Sequence, residues 1–276
     1  MSNSPTKAHE LHPSLQCILC IAAHPDDHEF GIAGTVAKWS REGRKVVFCL
    51  VTSGSAGTNE HTLTNDGLVP IRERESWAAA KVLGVQDIVF LRYQDGVVEP
   101  TLGLRRDLTR VIRQFKPDVV VCGDPTVRWY GHGYLNHPDH RAVGSAALDA
   151  IFPSAETRYI FPELLAEGLE PHKVKEVFIT FGNQGDTWID IVDTLDLKCA
   201  ALKEHRSQLG DGEWIDKEMR EWAHGDAKET GIEYSESFRR MVFWDEKAAQ
   251  QLDQKTGEAV DVPPVAQEHE KMEARV

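Results

Sequence analysis

The stretch AAHPDDHEFG, from Ala22 to Gly31, contains two histidines and three carboxylates within six residues and directly follows the apolar run CILCI. Carboxylates this close repel one another unless water or a cation lies between them. His24 and Asp27 are three residues apart at a turn, where both side chains can converge on one point while Asp26 is directed past it. Three nitrogen or oxygen ligands with an open position are typical of catalytic zinc sites. Taken alone, however, the pattern is explained more simply by a solvated turn.

A second segment, NHPDHRAVGSAAL, repeats the His-Pro-Asp arrangement from Asn136 onward. With Asn136 as the predicted N-cap and Pro138 in the first turn, His137 and His140 lie on one face of a helix start. One of these histidines can bind a metal while the other points toward a substrate. Two such clusters, both predicted at the carboxyl ends of strands of one sheet, favour a shared divalent cation over two solvated turns.

Alternating short apolar runs and longer amphipathic segments predict the elements that position these clusters. The predicted strands are 17–23, 45–52, 87–91, 118–122 and 174–180, and the predicted helices are 31–42, 71–83, 102–115, 139–151 and 194–205. Nearly continuous apolar strands separated by helices indicate an α/β fold whose mostly parallel sheet is covered on both faces.

Ligands of such sheets bind beyond the carboxyl ends of the strands. The polar loops after Thr52, Leu91 and Cys122 are therefore predicted to form the rim of the site, together with the first cluster. The aromatic residues of the third loop either stack on a sugar ring or pack the loop itself; they are Trp129, Tyr130 and Tyr134.

Composition limits the function classes. The chain has 276 residues, of which 41% are hydrophobic and 27% charged, with no apolar run near the ~18 residues of a membrane span. Its N-terminus lacks the features of a signal peptide and five cysteines suit a reducing compartment, so a cytoplasmic location is expected. A net charge of -13 argues against nucleic acid and anionic membranes as partners, whereas a homo-oligomer is compatible with the sequence.

Domain organisation is predicted to be simple. One domain is expected over residues 1–244, followed by a mobile tail over residues 245–276, because that last segment is rich in charge, Gln and Pro and has no aromatic residue.

Two other enzyme classes lack their motifs. No GxGxxG precedes the helix that GIAGTVAKW opens, and SGSAG lacks the GKS or GKT ending of a phosphate-binding loop. A serine hydrolase needs GxSxG, which does not occur in the chain. Metal-assisted hydrolysis remains as the interpretation that accounts for both clusters.

The chain resembles the LmbE-like, or PIG-L, family of metal-dependent N-deacetylases. The resemblance depends on blocks that occur in family order between Ile18 and Gln208: AHPDD with GIAGT, TSGSAGT, IRERESWAAAKVLGV, FLRYQDG, NHPDHRAVG and KCAALKEHRSQ. It implies a Rossmann-like three-layer α/β/α fold and an N-acetylglucosamine-type amino sugar or its glycoside as substrate.

The resemblance also implies roles for individual residues. It makes His24, Asp27 and His140 ligands of Zn²⁺ or of another divalent metal such as Fe²⁺. It makes Asp26 the general base that activates water for attack on the amide, and His137 the group that stabilises the oxyanion.

Arg72 and Asp95 would then contact the sugar or its aglycone. Many family members have glutamate directly after the two aspartates, whereas this chain has His28 there and Glu29 one position later, so a role for Glu29 at the metal is in doubt. His28, His61 and His132 are predicted to be loop histidines, and no role beyond support of the site follows for His205.

Two alternatives share the predicted metal site. One is an amidase that cleaves a sugar-thiol conjugate, which would need the same metal chemistry and a different pocket. The other is a carbohydrate-binding protein without turnover. Asp26 argues against the second alternative, because a pure binder has no need of a base beside metal-activated water.

Overall fold

The computed structural model describes residues 8–59, 61, 63–228 and 230–245, and these residues form a seven-stranded sheet with an additional two-stranded hairpin. The strands are β1 (Cys17–Ala22), β2 (Lys45–Thr52), β3 (Asp87–Tyr93), β4 (Val119–Gly123), β5 (Trp129–Tyr130), β6 (Tyr134–Leu135), β7 (Glu176–Thr180), β8 (Thr187–Asp190) and β9 (Ser235–Val242). The sheet order is β3-β2-β1-β4-β7-β9-β8, and β5 pairs with β6. The first five strands of that order are parallel, whereas β9 is antiparallel to both β7 and β8.

The helices cover both faces of this sheet. They are α1 (Asp27–Arg41), α2 (Asn65–Leu83), α3 (Leu102–Phe115), α4 (Pro138–Asp149), α5 (Glu163–Ala166), α6 (Leu195–Leu202), α7 (Arg206–Leu209) and α8 (Ile215–Ala227), with an irregular π-helical segment over Ala150–Ala155. No helix among the described residues is both long and apolar enough to span a membrane.

Alternate residues of the central strands supply two separate hydrophobic layers. On β1, Ile18 and Cys20 pack into one buried cluster with α1, α2, α6 and α8, whereas Leu19 and Ile21 pack into another with α3 and α4. A strand directs successive side chains to opposite faces, so these apolar runs need cover on both sides. The α/β prediction with a mostly parallel sheet is confirmed.

The chain reverses its direction of strand addition between β1 and β4. Strands β2 and β3 lie on one side of β1, whereas β4 pairs with the other side of β1, where Ile21 is opposite Cys122. In open α/β sheets the ligand crevice lies at such a switch point, beyond the carboxyl ends of the strands. The two polar clusters predicted from the sequence follow these two neighbouring strands.

Several predicted details are wrong in instructive ways. His137, and not Asn136, caps α4, since its Nδ1 accepts the backbone N–H of Asp139 at 3.2 Å. His28 is a buried residue of α1 that stacks on Phe48 with ring centroids 4.1 Å apart, not a loop histidine. Helix α1 begins at Asp27, four residues earlier than predicted, so the first cluster includes the first helical turn.

The sequence analysis missed β8, β9 and the β5–β6 hairpin. The sequences of β8 and β9 lack a clear apolar pattern and pair with strands that are distant in sequence, whereas β5 and β6 are only two residues long each. The predicted mobile tail over 245–276 lies outside the described residues, except for Asp245.

A buried ion pair fastens the middle of α1 to α6 and β9. Lys198 Nζ contacts Glu236 Oε1 at 2.7 Å, and it also donates to the backbone oxygen of Phe30 at 2.7 Å. Glu236 accepts the backbone N–H groups of Gly34 and Thr35 at 3.1 and 2.8 Å. Both charged side chains are buried and each has several partners, as buried charges require.

Substitution Glu236→Ala is expected to lower the free energy of unfolding by about 3–5 kcal/mol, because it leaves Lys198 as an uncompensated buried charge. The double variant Lys198→Met/Glu236→Leu should be less destabilised than Glu236→Ala, since it removes both charges. Urea unfolding measures the free energy of unfolding of the single and of the double variant. Glu221→Ala provides the control, because its exposed pair with Lys217 at 3.8 Å should contribute less than ~1 kcal/mol. Equal losses of unfolding free energy in Glu236→Ala and Glu221→Ala would show that the buried pair stabilises the fold no more than an exposed pair does.

Candidate active site

Three residues that could each offer a ligand atom converge at the sheet edge from the two separate clusters. His24 Nδ1 lies 3.2 Å from His140 Nε2 and 3.5 Å from Asp27 Oδ2, and His140 Nε2 lies 3.1 Å from Asp27 Oδ1. The two histidines are 116 positions apart in sequence. The structure therefore brings together the three residues predicted as metal ligands.

Two carboxylates fix the orientation of His24. Its Nε2 lies 3.2 Å from Asp139 Oδ2 and 3.1 Å from Asp95 Oδ1. Ionised carboxylates only accept hydrogen bonds, so Nε2 carries a proton, and Nδ1, which faces His140 and Asp27, can bind either a second proton or a metal ion. Carboxylates that hold the outer N–H of a histidine in this way are typical partners of metal ligands.

His140 is oriented by an amide in the same manner. Asn136 donates its side-chain N–H to the backbone oxygen of Val127 at 2.8 Å, so its Oδ1 faces His140 Nδ1 at 2.9 Å and accepts from it. His140 Nε2 is then left with its lone pair toward the centre of the site. Asp27 is fixed by its own turn, because Oδ2 accepts the backbone N–H groups of Ala23 and His24 at 3.1 and 2.8 Å.

This donor set fits a divalent metal. Ligands at about 2.0–2.1 Å from a tetrahedral ion are about 3.3–3.4 Å apart, and His140 Nε2 lies at the similar distances of 3.2 Å from His24 Nδ1 and 3.1 Å from Asp27 Oδ1. Burial lowers the pKa of His24, but its hydrogen bonds to Asp139 and Asp27 outweigh this effect and raise the pKa well above its ordinary value. The site thus attracts a cation, either a proton or a metal ion.

A second group of potential ligands, His24 with His137 and Asp139, is already engaged within the protein. The oxygens of Asp139 accept the backbone N–H groups of Gly96 and Val98 at 2.8 and 3.1 Å as well as His24. His137 Nδ1 is occupied by the cap of α4. The first group is therefore the better metal site.

Asp26 lies in the same cavity with an unusual backbone. Its φ of 91° falls in the left-handed region that residues other than glycine rarely adopt, and its side chain makes no capping hydrogen bond to α1. Arg72 Nη2 donates to Asp26 Oδ2 at 3.0 Å instead. Backbone strain of this kind concentrates at functional sites, where the surrounding structure holds it in place.

Burial raises the pKa of Asp26 to about 6, against the opposing positive charges of Arg72 and His205. Arg72 is itself buried and donates to the backbone oxygens of Pro25 and Gly54 at 2.7 and 3.1 Å. Gly54 has a φ of +66°, and a Cβ at this position would overlap the Arg72 guanidinium. The loop after β2 therefore needs glycine there to let Arg72 reach Asp26.

A buried pair supports this part of the site. His205 Nε2 lies 3.4 Å from Glu29 Oε2, and both residues are almost fully buried. Burial lowers the pKa of His205, but Glu29 outweighs this effect and raises it above the ordinary value. Glu29 thus pairs with His205 rather than joining the three ligand residues.

An open cavity of about 830 Å³ surrounds the site. Its polar lining includes His24, Asp26, Asp27, Arg72, Asp95, Asn136, His137, His140 and Gln208, and its aromatic lining consists of Phe30, Tyr130, Tyr134, Phe181 and Trp222. All seven residues predicted from the sequence as ligands, catalytic groups or substrate contacts line this one cavity. Its volume is within the ~300–1,000 Å³ of small-molecule sites.

The structure gives Arg72 and Asp95 internal partners. Asp95 Oδ2 accepts the backbone N–H of Ala56 at 2.7 Å while Oδ1 contacts His24. Contact of either residue with a sugar stays a prediction. The sequence analysis missed Asp139 and the role of Asn136 as a partner of His140, although both lie within the motif NHPDH.

A parallel α/β sheet with two histidines and a carboxylate that converge at its switch point is the arrangement expected of a metal-dependent hydrolase. Comparisons with known proteins agree. The family model PIG-L, GlcNAc-PI de-N-acetylase, matches residues 19–151. Diacetylchitobiose deacetylase of Thermococcus kodakarensis is 30% identical over 241 residues, which are 87% of this chain and 88% of that protein.

Two further matches cover most of the chain. The probable N-acetyl-alpha-D-glucosaminyl L-malate deacetylase 2 of Bacillus subtilis is 29% identical over 69% of this chain and 82% of its own length. The crystal structure of N,N'-diacetylchitobiose deacetylase from Pyrococcus horikoshii, in complex with an inhibitor, matches with a TM-score of 0.76 and 32% identity over 82% of this chain and 84% of that one. The chain belongs to the PIG-L family of deacetylases.

Substitution Asp139→Asn is expected to weaken divalent-metal binding about 10–100-fold, because it removes the carboxylate that orients His24. Titration of the metal-free protein with Zn²⁺ against a competing chelator measures the change. Asp107→Asn is a matched control, since Asp107 accepts from Tyr93 Oη at 2.7 Å and not from a histidine. Unchanged affinity in Asp139→Asn would show that His24 needs no such partner.

Proposed function

We propose that the protein is a zinc-dependent deacetylase, with another divalent metal such as Fe²⁺ as the alternative ion, that removes the N-acetyl group of an N-acetylglucosamine unit. The observation that carries this proposal is the joint presence in one cavity of a three-ligand cation site and Asp26, whose buried carboxyl has a raised pKa. Water attack on an amide needs a base, an acceptor for the developing negative charge and a proton for the leaving amine.

His24, Asp27 and His140 would hold the metal through Nδ1, a carboxylate oxygen and Nε2. When bound, a divalent cation supplies Lewis acidity, which polarises the amide carbonyl and makes water easier to deprotonate. Two imidazoles and one carboxylate with an open fourth position are typical of catalytic zinc.

Asp26 takes the proton from water as the water oxygen bonds to the acetyl carbon. The carbon–nitrogen bond then breaks, and Asp26 delivers this proton to the departing nitrogen. The products are acetate and the free amino sugar. A carboxyl group with a pKa of about 6 is ionised at neutral pH and can also return the proton, as a group acting in turn as base and acid must.

His137 stabilises the negative oxygen of the tetrahedral intermediate. Burial lowers its pKa and the neighbouring His24 adds to this effect, so the neutral ring is favoured at pH 7. Its Nδ1 accepts the Asp139 backbone N–H, which leaves the proton on Nε2 as a donor for the oxyanion. The proposed donor is therefore the Nε2–H of a neutral ring, and not the protonated ring that the sequence alone favours for this role.

The positions of Arg72 and Asp95 support positioning roles. Arg72 holds the Asp26 carboxylate, and Asp95 holds His24. Their outer surfaces face the cavity, so contact with the sugar is proposed in addition.

The two alternatives differ in products. An amidase acting on a sugar-thiol conjugate would use the same three ligands and Asp26 but would release no acetate from N-acetylglucosamine compounds. A carbohydrate-binding protein would bind the sugar without turnover. The raised pKa of Asp26 argues against the carbohydrate-binding protein, because a protein without turnover does not need a carboxyl group that can take up and return a proton near neutral pH.

Asp26→Asn is expected to bind zinc as the wild type does and to lose about 10²–10⁴-fold in turnover, because only the proton acceptor is removed. Mass spectrometry of acetate released from N-acetylglucosamine and its dimer measures turnover, and metal analysis measures zinc. His140→Ala should lose both properties.

Asp124→Asn is the control for this pair, since Asp124 lies on the same rim but its Oδ1 is bonded to Thr126. Full activity of Asp26→Asn would exclude Asp26 as the base. Acetate release by none of the metal-loaded wild-type samples would reject the deacetylase assignment.

A further inference from the structure

A second pocket, hereafter the outer pocket, lies outside the active-site cavity. Its volume is about 310 Å³, and its lining consists of Asp124, Thr126, Val127, Arg128, Trp129, Asn183, Gln184 and Arg239. Successive residues of a strand point to opposite faces, so Tyr130 of β5 lines the active-site cavity whereas Trp129 lines the outer pocket. The β5–β6 hairpin therefore separates the two pockets, and no residue assigned to the reaction lines the outer one.

The outer pocket contains two arginines without an acidic partner. Arg128 and Arg239 are exposed, and neither guanidinium lies within ion-pair distance of a carboxylate of the residues that the structure describes. The neighbouring Arg240, by contrast, donates to both oxygens of Glu176 at 2.7 Å. The chain has 44 acidic residues against 31 lysines and arginines, so no shortage of acids explains this. The two positive charges are available to an external anion.

The other polar groups of the outer pocket suit an oxyanion. Asp124 is the one acidic residue among the described residues that line it, and its Oδ1 already accepts the backbone N–H and the hydroxyl group of Thr126 at 2.7 and 2.6 Å. Asn183 and Gln184 add side-chain amides, which donate hydrogen bonds without adding charge. The guanidinium groups outnumber the carboxylate, so the lining favours a ligand with negative charge and several acceptor oxygens.

Trp129 gives the outer pocket a large apolar face. Its side chain is 61% exposed, and its ring contacts no other aromatic ring in the described part of the chain. An exposed indole can stack on a flat ring or on the C–H face of a sugar. The sequence alone leaves open whether Trp129 packs its own loop, and this exposure favours a role in binding.

The backbone that carries these groups is held in place. Asn136 donates its backbone N–H to the oxygen of Arg128 at 2.9 Å and its side-chain N–H to the oxygen of Val127 at 2.8 Å. Arg239 lies on β9, which pairs with β7 of the central sheet. A site on fixed backbone loses less conformational entropy when a ligand binds.

We infer that the outer pocket binds a phosphate monoester attached to a ring, with Arg128 and Arg239 holding the phosphate and Trp129 stacking on the ring. Such a phosphate carries a charge of about −1.5 to −2 at neutral pH, which matches two guanidinium groups better than the single charge of a carboxylate does. Nucleotides and sugar phosphates share this chemistry. The inference is independent of the proposed deacetylase function, and Arg239 lies outside residues 19–151, which the family model matches.

Calorimetric titration of the full-length protein, loaded with Zn²⁺ and freed of excess ion, tests the inference with four probes. AMP offers a flat ring with a phosphate, glucose 6-phosphate offers a sugar ring with a phosphate, inorganic phosphate has no ring, and adenosine has no phosphate. The tighter of the two ring phosphates should bind about tenfold more strongly than either inorganic phosphate or adenosine. Which of the two binds more tightly distinguishes a nucleotide from a sugar phosphate.

Substitutions locate the bound probe. Arg128→Gln and Arg239→Gln should each weaken binding of the tighter ring phosphate about tenfold, because each removes a charge-assisted hydrogen bond. Trp129→Ala should weaken it to a similar extent but leave inorganic phosphate within about twofold, and Trp129→Phe should recover most of the loss. Arg74→Gln and Trp77→Ala are the matched controls, since both residues are exposed on α2 and do not line the outer pocket.

The variant His140→Ala separates the outer pocket from the cation site. A phosphate group that binds a divalent ion in the active-site cavity would be lost in His140→Ala and kept in Arg128→Gln, whereas the outer pocket requires the reverse. The inference is overturned if neither ring phosphate binds more tightly than inorganic phosphate, if Arg128→Gln binds the probe as well as Arg74→Gln does, or if His140→Ala abolishes binding.

Discussion

His24 Nδ1 and His140 Nε2 lie 3.2 Å apart across the switch point of the sheet, and two imidazole nitrogens this close repel each other unless a proton or a metal ion is shared between them. His24 follows β1 and His140 begins the helix that comes after β4, so the contact depends on the parallel pairing of these two strands. The carboxylate Asp27 completes the set and fixes the sign of the charge that the site accepts. Because the strands are buried on both faces, the backbone positions from which His24, Asp27 and His140 converge are set by the core.

The groups that orient the histidines also join the loops of the rim. Asp139 accepts the backbone N–H groups of Gly96 and Val98, which ties the loop after β3 to α4, and it holds His24 at the same time. Asp95 ties the loop after β3 to Ala56 in the loop after β2. The ligand geometry and the shape of the cavity are therefore coupled: a change that releases either carboxylate would loosen a histidine and a loop together. Such carboxylates contribute to metal affinity without touching the metal.

Sequence patterns predicted the convergence of the two clusters because the carboxyl ends of neighbouring parallel strands share one edge of a sheet. They also predicted the five parallel strands, because strands that are buried on both faces have nearly continuous apolar sequences. They did not predict the internal partners of the site, since the hydrogen bonds of Asp139 to Gly96 or of Asn136 to Val127 depend on tertiary packing and leave no periodic signal. The antiparallel strand β9 was missed because it alternates weakly and pairs with β7 about 60 positions earlier in the chain.

The cluster of His24, Asp27 and His140 and the aromatic residues that line the same cavity come from different parts of the chain, and the buried pair of Lys198 with Glu236 links them. Lys198 binds the backbone oxygen of Phe30, one of the aromatic residues that line the cavity, and Glu236 accepts from the next turn of α1, the helix that begins with Asp27. Helix α8, which carries Trp222, packs against both α6 and β9, the elements that supply this pair. The orientation of α1 is thus fixed at its start by the hydrogen bonds of Asp27 and in its middle by Lys198 of α6 and Glu236 of β9. Since one metal site can serve many amides, selectivity has to come from such attached elements. With α1 fixed in this way, α8 can vary the wall of the cavity at Trp222 without moving His24, Asp27 and His140 at the sheet edge.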